Sequence, residues 1–353
     1  MAYRLKLKTT LAHEVRRIAL EQIEIARGAL TRPEDRAAAV HDARRSLKRL
    51  RAMLRLVRPA LGETWFKQSN RQLANLGQRL ALSRDLDVMI VTLSKLESSA
   101  GGLPKPVADR LRSAVARSRN KADSAGAPGS DRSLARALQR AQTLFASERL
   151  RGVGLEHVAA GLEQSYRKAR RTFREAYAAA SDEAFHNWRK ATQAHWRHMQ
   201  LLGRSWPESI GARAGEAKEL SRLLGEDHDL SVLIGFAQST GCSGLARADL
   251  ETLTAACLKG QHQIRDVARF HGERLFADRP RHLKKRILRY WKAAEQLSTL
   301  LPPDAEAAAQ NPIPARPRAP RATQVERVSV RAAAGKGAAQ RRSRRGQAVD
   351  ENP

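Results

Sequence analysis

The chain has 353 residues, enough for two ordinary domains, and a formal net charge of +29. Such a charge points to a polyanionic partner, which could be nucleic acid, an anionic membrane surface or a polyphosphate. The two cysteines, Cys242 and Cys257, form no CxxC pair, which argues against a disulfide framework or a zinc site.

The N-terminus, MAYRLKLKTTLAHEVRR, lacks the apolar segment of a secretory signal. No stretch approaches the ~18 apolar residues of a membrane span. We therefore predict a soluble, cytoplasmic protein without a membrane partner.

Helical periodicity and strong helix formers continue from the N-terminus to about Leu300, and alternating β-branched runs are missing. The sequence therefore predicts an all-α fold. Predicted breaks between helices occur at GALTRP, RPALGE, SAGGLPKP, SAGAPGSDRS, AASDE, RSWPES and STGCSG. The fourth of these, Ser124–Ser133, is predicted to be a linker or a long loop.

Residues 301–353 are rich in Ala, Pro, Arg and Gly and have few large apolar side chains, so we predict a disordered basic tail. From Pro302 onward this tail contains ten Arg or Lys and five Asp or Glu, a net charge of +5. The remaining +24 belongs to the part of the chain that is predicted to fold, so the tail alone cannot explain the charge.

The segment Val40–Leu56 is predicted to be a helix with one apolar and one cationic stripe. A helix advances about 100° per residue, which places five basic residues within about 80° of His41: Arg44, Arg45, Lys48, Arg51 and Arg55. The opposite face carries the predicted core stripe, Ala43, Leu47, Leu50, Leu54, Val57 and Leu61. Asp42 is the single acid in the segment, so the basic residues lack the usual i,i+4 partners. This imbalance favours a bound anion over a merely solvated face.

The same motif occurs twice in the chain. The first motif, AVHDARRSLKRLRAMLRLVRPALG, recurs in the second half of the chain as AFHNWRKATQAHWRHMQLLGRSWP. A second motif, SRDLDVMI, recurs downstream of it as DHDLSVLI. The aligned pairs are His41 with His186, Arg44 with Arg189, Arg45 with Lys190, and Asp85 with Asp229. Two motifs repeated in the same order at nearly equal spacing predict two homologous halves, about 1–150 and about 151–300.

These motifs resemble the CHAD domain, the conserved histidine α-helical domain. The resemblance continues through RDLDV and LLGEDHDL to RLFADRPRHLKKRILRYW and covers most of residues 1–300. It implies two four-helix bundles related by pseudo-twofold symmetry, with a basic groove that binds inorganic polyphosphate. Polyphosphate granules in the cytoplasm are the location that this function implies.

The predicted polyphosphate-binding residues lie on the two basic motifs and beside the two aligned aspartates. They are His41, Arg44, Arg45, Lys48, Arg49, Arg51, Arg55, Arg84, His186, Arg189, Lys190, His195, Arg197 and His228. The second motif has Gln193 and Ala194 where the first has Lys48 and Arg49. We therefore expect the first half to contribute more to binding.

Structural roles are the alternative for some of these positions. His41 and His186 could instead be packed histidines that bond a neighbouring helix. Asp85 and Asp229 are predicted to orient arginines without facing the ligand. The tryptophans at helical spacing, Trp188, Trp196 and Trp291, are predicted to be core or helix-contact residues.

Two other functions stay open. Non-specific nucleic-acid binding is favoured by the charge and by RRSRRG in the tail, but only 5% of the chain is aromatic and no helix-turn-helix is recognisable. A metal-dependent phosphohydrolase could use EDHDL (Glu226–Leu230), but the first repeat has Arg84 where a metal ligand is needed. We therefore predict no catalytic residues, metal or cofactor, with polyphosphate as the main partner and nucleic acid as a possible partner of the tail.

Overall fold

The computed structural model describes residues 3–30, 36–80, 82–99, 102–124, 131–146, 150–239 and 245–300. Over these ranges the regular structure is entirely helical, which confirms the predicted all-α fold. The helices are α1 (Leu11–Leu30), α2 (Arg36–Leu61), α3 (Glu63–Arg79), α4 (Leu82–Ser98), α5 (Lys105–Ser124), α6 (Asp131–Ala146), α7 (Leu155–Ala179), α8 (Asp182–Leu201), α9 (Pro207–Ala237), α10 (Arg247–Leu275) and α11 (Pro280–Leu300).

Several predicted segments fall wholly or partly outside the described residues. They are the tail, 301–353, residues 125–130 of the predicted linker, and parts of the predicted breaks GALTRP, SAGGLPKP and STGCSG. Among the helices that are described, none combines the length and the apolar character that a membrane crossing requires.

The two basic motifs form α2 and α8, and their apolar spacing decides how each helix packs. The predicted core stripe of α2 is buried, with every one of its six side chains at most 3% exposed. Trp188 of α8 and Trp291 of α11 are fully buried, and Trp196 is partly buried against the same core. These core predictions are confirmed, so the basic face of α2 points away from its own core.

The segment before α1 connects α8 to α2. The Leu5 amide donates a hydrogen bond to the Leu201 carbonyl (2.9 Å) at the end of α8, and the Leu5 side chain is fully buried. The Tyr3 hydroxyl donates to the Arg49 carbonyl of α2 (2.7 Å). The segment therefore fixes the two motif-bearing helices against the core.

Buried apolar side chains form two clusters, and each contains residues from both predicted halves. The larger cluster contains residues of α1, α2, α3, α6, α7, α8 and α11 with parts of α9 and α10. The smaller one joins α4 and α5 to the C-terminal part of α9 and the N-terminal part of α10. The helices that carry equivalent motifs contact each other, α2 with α8 and α4 with α9. The pseudo-twofold relation between the halves stays a prediction.

Candidate functional site

A cleft of about 400 Å³ opens between α2, α8 and α9, with α4 at its edge. Seven cationic side chains line it: Arg44, Lys48, Arg51, Arg55, Arg189, Lys190 and Arg197. The other charged or titratable side chains among its described lining residues are two histidines, His186 and His228, and one carboxylate, that of Asp229. We call this surface the cationic cleft.

Close helix packing brings the basic faces together. A Cβ atom at Gly161 of α7 would lie 1.8 Å from the Leu56 carbonyl oxygen, so only glycine allows α7 to approach α2 this closely. On the other side, Nε2 of His198 in α8 lies 2.8 Å from the Ala52 carbonyl of α2. Burial lowers the pKa of His198 to about 4, so this histidine is neutral and its Nε2–H is the donor. Helix α8 is thereby fixed on α2 with its cations toward the cleft.

Neutral groups, not carboxylates, hold several of these cations. Arg51 donates to the Asn70 side-chain oxygen (3.0 Å), Arg55 to the Arg51 carbonyl (3.3 Å) and Arg197 to the Gln193 carbonyl (2.9 Å). Within the described ranges, none of these three arginines forms an ion pair with a carboxylate. Their charges are therefore not neutralised locally by the described part of the fold.

Burial, with mutual repulsion as a smaller cause, lowers the pKa of cationic groups in the cleft. Burial, followed by the charges of Arg51 and Arg197, lowers the pKa of Arg55 to about 10. Arg222 on the outer face of α9 shows the opposite: its hydrogen bonds to Glu219 raise its pKa. Arg55 is still charged at neutral pH, but holding that charge in the folded state costs free energy that an anion would return.

Two histidines of the cleft stack on each other. The ring centroids of His186 and His228 lie 4.3 Å apart, and the buried Nδ1 of His186 has no hydrogen-bond partner among the described residues. Burial is the largest cause that lowers the pKa of both rings, with the charges of Arg189 and Lys190 adding to it; that of His228 falls to about 4. Both imidazoles are therefore neutral at pH 7 and can offer N–H donors to an anion.

Nine of the fourteen predicted binding residues line the cationic cleft. They are Arg44, Lys48, Arg51, Arg55, His186, Arg189, Lys190, Arg197 and His228. The fold brings them together from three helices, α2, α8 and α9. Their role in binding stays a prediction.

Arg45 and Arg49 lie elsewhere on α2. Arg45 is exposed and forms an ion pair with Asp42 (3.0 Å), one turn back on the same helix. Arg49 faces α1, where it donates to Gln22 (3.2 Å) and lies over the Tyr3 ring at 5.1 Å. Neither residue is among those that line the cleft: Arg45 is held by its own helix and Arg49 by α1 and Tyr3.

His195 lies in the core. It is fully buried, its Nε2 accepts a hydrogen bond from Arg213 (3.2 Å), and its ring centroid is 5.3 Å from that of Tyr166. Burial lowers its pKa well below the ordinary value. The structure therefore gives His195 a packing environment away from the cleft.

His41 lines a second, larger cavity of about 660 Å³ between α2, α4, α9 and α10. Asp229, predicted to orient an arginine without facing a ligand, lies in the walls of both cavities. The side chains of Arg84 and Asp85 lie outside the described residues. The two aligned histidines, His41 and His186, thus line different cavities.

Lys168 of α7 belongs to the same positive cluster and was not predicted from the sequence. Burial, followed by the charges of Arg55 and Arg171, then Lys190, lowers its pKa. Lys168 follows Gly161 by two helical turns and so lies on the face of α7 that approaches α2. In the sequence, Gly161 was the one indication that α7 packs closely against another helix. Because α7 lies outside the repeated motifs, this indication was not used to predict Lys168.

No group of three or more His, Cys, Asp or Glu side chains in the described ranges is arranged to hold a metal ion. The prediction that the protein is not an enzyme stays a prediction.

Comparisons with known proteins identify the fold and the family. A search of the curated proteins finds no match. Among solved structures, PptA from Streptomyces chartreusis matches with a TM-score of 0.52 and 16% sequence identity, over 76% of this chain and 100% of that chain. At this identity the likeness shows a shared fold and nothing more. The CHAD domain family model matches residues 14–238, a span that includes both basic motifs and every residue of the cationic cleft, and the chain therefore belongs to the CHAD domain family.

Proposed function

We propose that the protein binds inorganic polyphosphate in the cationic cleft, without turning it over. One observation carries the proposal: seven cations line one cleft, and Arg51, Arg55 and Arg197 among them have no carboxylate partner within the described ranges. The binding of polyphosphate that the CHAD resemblance implies supports the choice of ligand. Polyphosphate granules are the cellular location that we propose.

The chemistry of the cleft suits a chain of phosphates. Arginine contacts phosphate oxygens through two N–H groups at once, whereas lysine acts as a point charge. The neutral His186–His228 pair adds N–H donors without adding to the repulsion. Burial and, to a smaller extent, repulsion between neighbouring cations lower the pKa of Arg55 and Lys190, and each bound phosphate would offset part of this cost.

Beyond the cleft, α7 offers a continuation for a long polymer. Lys168 interacts electrostatically with Arg55 in the cleft and with Arg171 and Arg58 outside it. A polymer longer than the cleft can therefore keep contacting cations along α7. We propose that long chains bind more tightly than short ones for this reason.

Nucleic acid is the competing ligand. Among the described residues, no Phe, Tyr or Trp side chain lines the cleft, so they provide no platform on which single-stranded bases could stack. A cleft of about 400 Å³ between helices also suits a single thread of phosphates better than a duplex. Both features favour polyphosphate.

The test compares long-chain polyphosphate with duplex DNA of equal total charge at two salt concentrations. We expect polyphosphate to bind the full chain more tightly at both. The double variant Arg51→Ala, Arg55→Ala should lose affinity by about tenfold or more, with a shallower salt dependence. The matched control, Arg247→Ala, removes a 92% exposed arginine on α10 and should leave affinity nearly unchanged. Equal affinity for DNA, or a double variant that binds like the control, would contradict the proposal.

A further inference from the structure

The larger cavity adjoins the cationic cleft. Both are lined by Val88 and Asp229, so the two spaces meet at these side chains. Unlike the cleft, the larger cavity has a mainly apolar wall, formed by Val40, Val88, Val91, Leu96, Leu230, Ala256 and Ile264. Its volume of about 660 Å³ is within the usual range of small-molecule sites.

Ion pairs engage three of the charged side chains that line the larger cavity. The Lys95 ammonium lies 2.6 Å from the Glu226 carboxylate, which joins α4 to α9 at the cavity wall. The Asp87 carboxylate pairs with Arg119 (2.9 Å). Lys259 and Asp229 also line the cavity, so among its described lining residues three carboxylates stand against two lysines, and a string of phosphates is less favourable there than in the cleft. The cavity suits a neutral, partly apolar group.

Asp229 marks the junction between the two spaces. A carboxylate repels a phosphate placed beside it, and it accepts hydrogen bonds from hydroxyl groups. A ligand that spans the junction should therefore have its phosphates in the cleft, hydroxyl groups near Asp229 and an apolar group beyond it. Thr92 and Gln263 add polar atoms to the cavity wall, which favours a heterocycle over an alkyl chain.

We propose that the larger cavity binds the nucleoside of a nucleoside polyphosphate whose phosphates lie in the cationic cleft. The inference rests on the proposed anion binding by that cleft. The base lies against the apolar wall, the ribose hydroxyls face Asp229, and His41 is placed beside the nucleoside while His186 contacts phosphate. The repeated histidines thus serve two different parts of one ligand.

The first test uses the full chain and charge-matched probes. Binding of adenosine triphosphate and guanosine triphosphate is compared with that of ribose 5-triphosphate, which has the same triphosphate ester and no base. We expect either nucleotide to bind about tenfold more tightly or better, because the base leaves water for the apolar wall. Equal affinities would overturn the nucleoside site and leave polyphosphate binding intact. Failure of ribose 5-triphosphate and long-chain polyphosphate to bind would instead overturn the proposed function of the cleft.

The second test fills the cavity. Ala256 lines it, whereas Ala255, the preceding residue on α10, is exposed to solvent. Ala256→Phe should abolish the advantage of the nucleotide over ribose 5-triphosphate and keep the affinity for the latter; Ala255→Phe should change neither. If Ala256→Phe lowers the melting temperature severely, Val91→Phe repeats the test from a side chain that is 56% exposed. A folded cavity-filling variant that still prefers the nucleotide would overturn the inference.

Discussion

Replacing Arg55 with Met should raise the free energy of unfolding and weaken polyphosphate binding at the same time. Burial, followed by the charges of Arg51 and Arg197, lowers the pKa of Arg55 from its ordinary value to about 10. One pKa unit corresponds to about 1.4 kcal/mol, so its charge costs the folded state about 3 kcal/mol. Because the folded-state pKa is lower than the unfolded one, this cost is fully present below pH 10 and fades as the pH rises from 10 toward the ordinary arginine pKa. Screening by solvent and the lost hydrogen bond to Arg51, about 1 kcal/mol, reduce the expected gain to about 1–2 kcal/mol.

Thermal unfolding without and with long-chain polyphosphate measures both effects. The ligand-free Arg55→Met variant should melt about 2–6 °C above the wild type, and its affinity should fall by about tenfold to a hundredfold. Met retains the apolar stem of arginine, so packing changes little. Arg222→Met is the control: it removes an arginine held by Glu219 and Glu226, and it should not stabilise the protein or change affinity. A lower melting temperature for Arg55→Met would refute the reasoning, because Arg55 would then stabilise the ligand-free fold.

Three further predictions concern other parts of the site. Lys168→Ala should weaken binding of long polyphosphate more than that of tripolyphosphate, whereas the control Lys285→Ala, at an exposed position on α11, should weaken neither. An equal loss of affinity for both ligands in Lys168→Ala would show that α7 does not extend the site. Affinity for long polyphosphate should increase from pH 8 to pH 5.5, because His186 and His228 have lowered pKa values without ligand and a bound anion favours their protonated forms. The double variant His186→Gln, His228→Gln should flatten this pH dependence, and an unchanged pH profile of the variant would show that the two histidines do not cause it. Deleting residues 302–353 should leave most polyphosphate binding intact while it weakens DNA binding, and loss of polyphosphate binding would make the tail the binder.

The helical fold and the buried stripe of α2 could be predicted because charge and apolarity follow the helical period there. Helix ends were predictable where Gly, Pro and Ser cluster. The break predicted at RPALGE is confirmed, but Pro59 does not end the helix: α2 continues through Pro59 and ends before Gly62, whose φ of +78° favours glycine. The breaks after α3, α6 and α10 lack such clusters and were not predicted.

Of the candidate site, the sequence could predict which residues of one helix share a face, but not which neighbouring helix covers each side of that face. Periodicity placed Arg49 and Arg55 on the flanks of the same basic stripe, 80° and 40° from His41. The structure separates them because α1 and Tyr3 cover one flank, whereas α8 faces the other. Which neighbour covers a flank depends on contacts between helices distant in sequence, and the sequence pattern of one helix does not contain that information. Lys168 escaped prediction for the same reason.

The division of the core into two clusters has a consequence for folding. Each cluster takes side chains from before residue 125 and from after residue 150, so neither half of the chain encloses a complete core. Long-range pairing between the two halves must precede full burial of either cluster, which makes folding slow relative to a bundle built from neighbouring helices. It also couples the halves into one cooperative unit, so a substitution that destabilises α4 or α5 also destabilises the packing of α9 and α10. During synthesis, a nascent chain of which only the first half has left the ribosome would expose the apolar faces of α2 and α4 until α7, α8 and α9 have also been made.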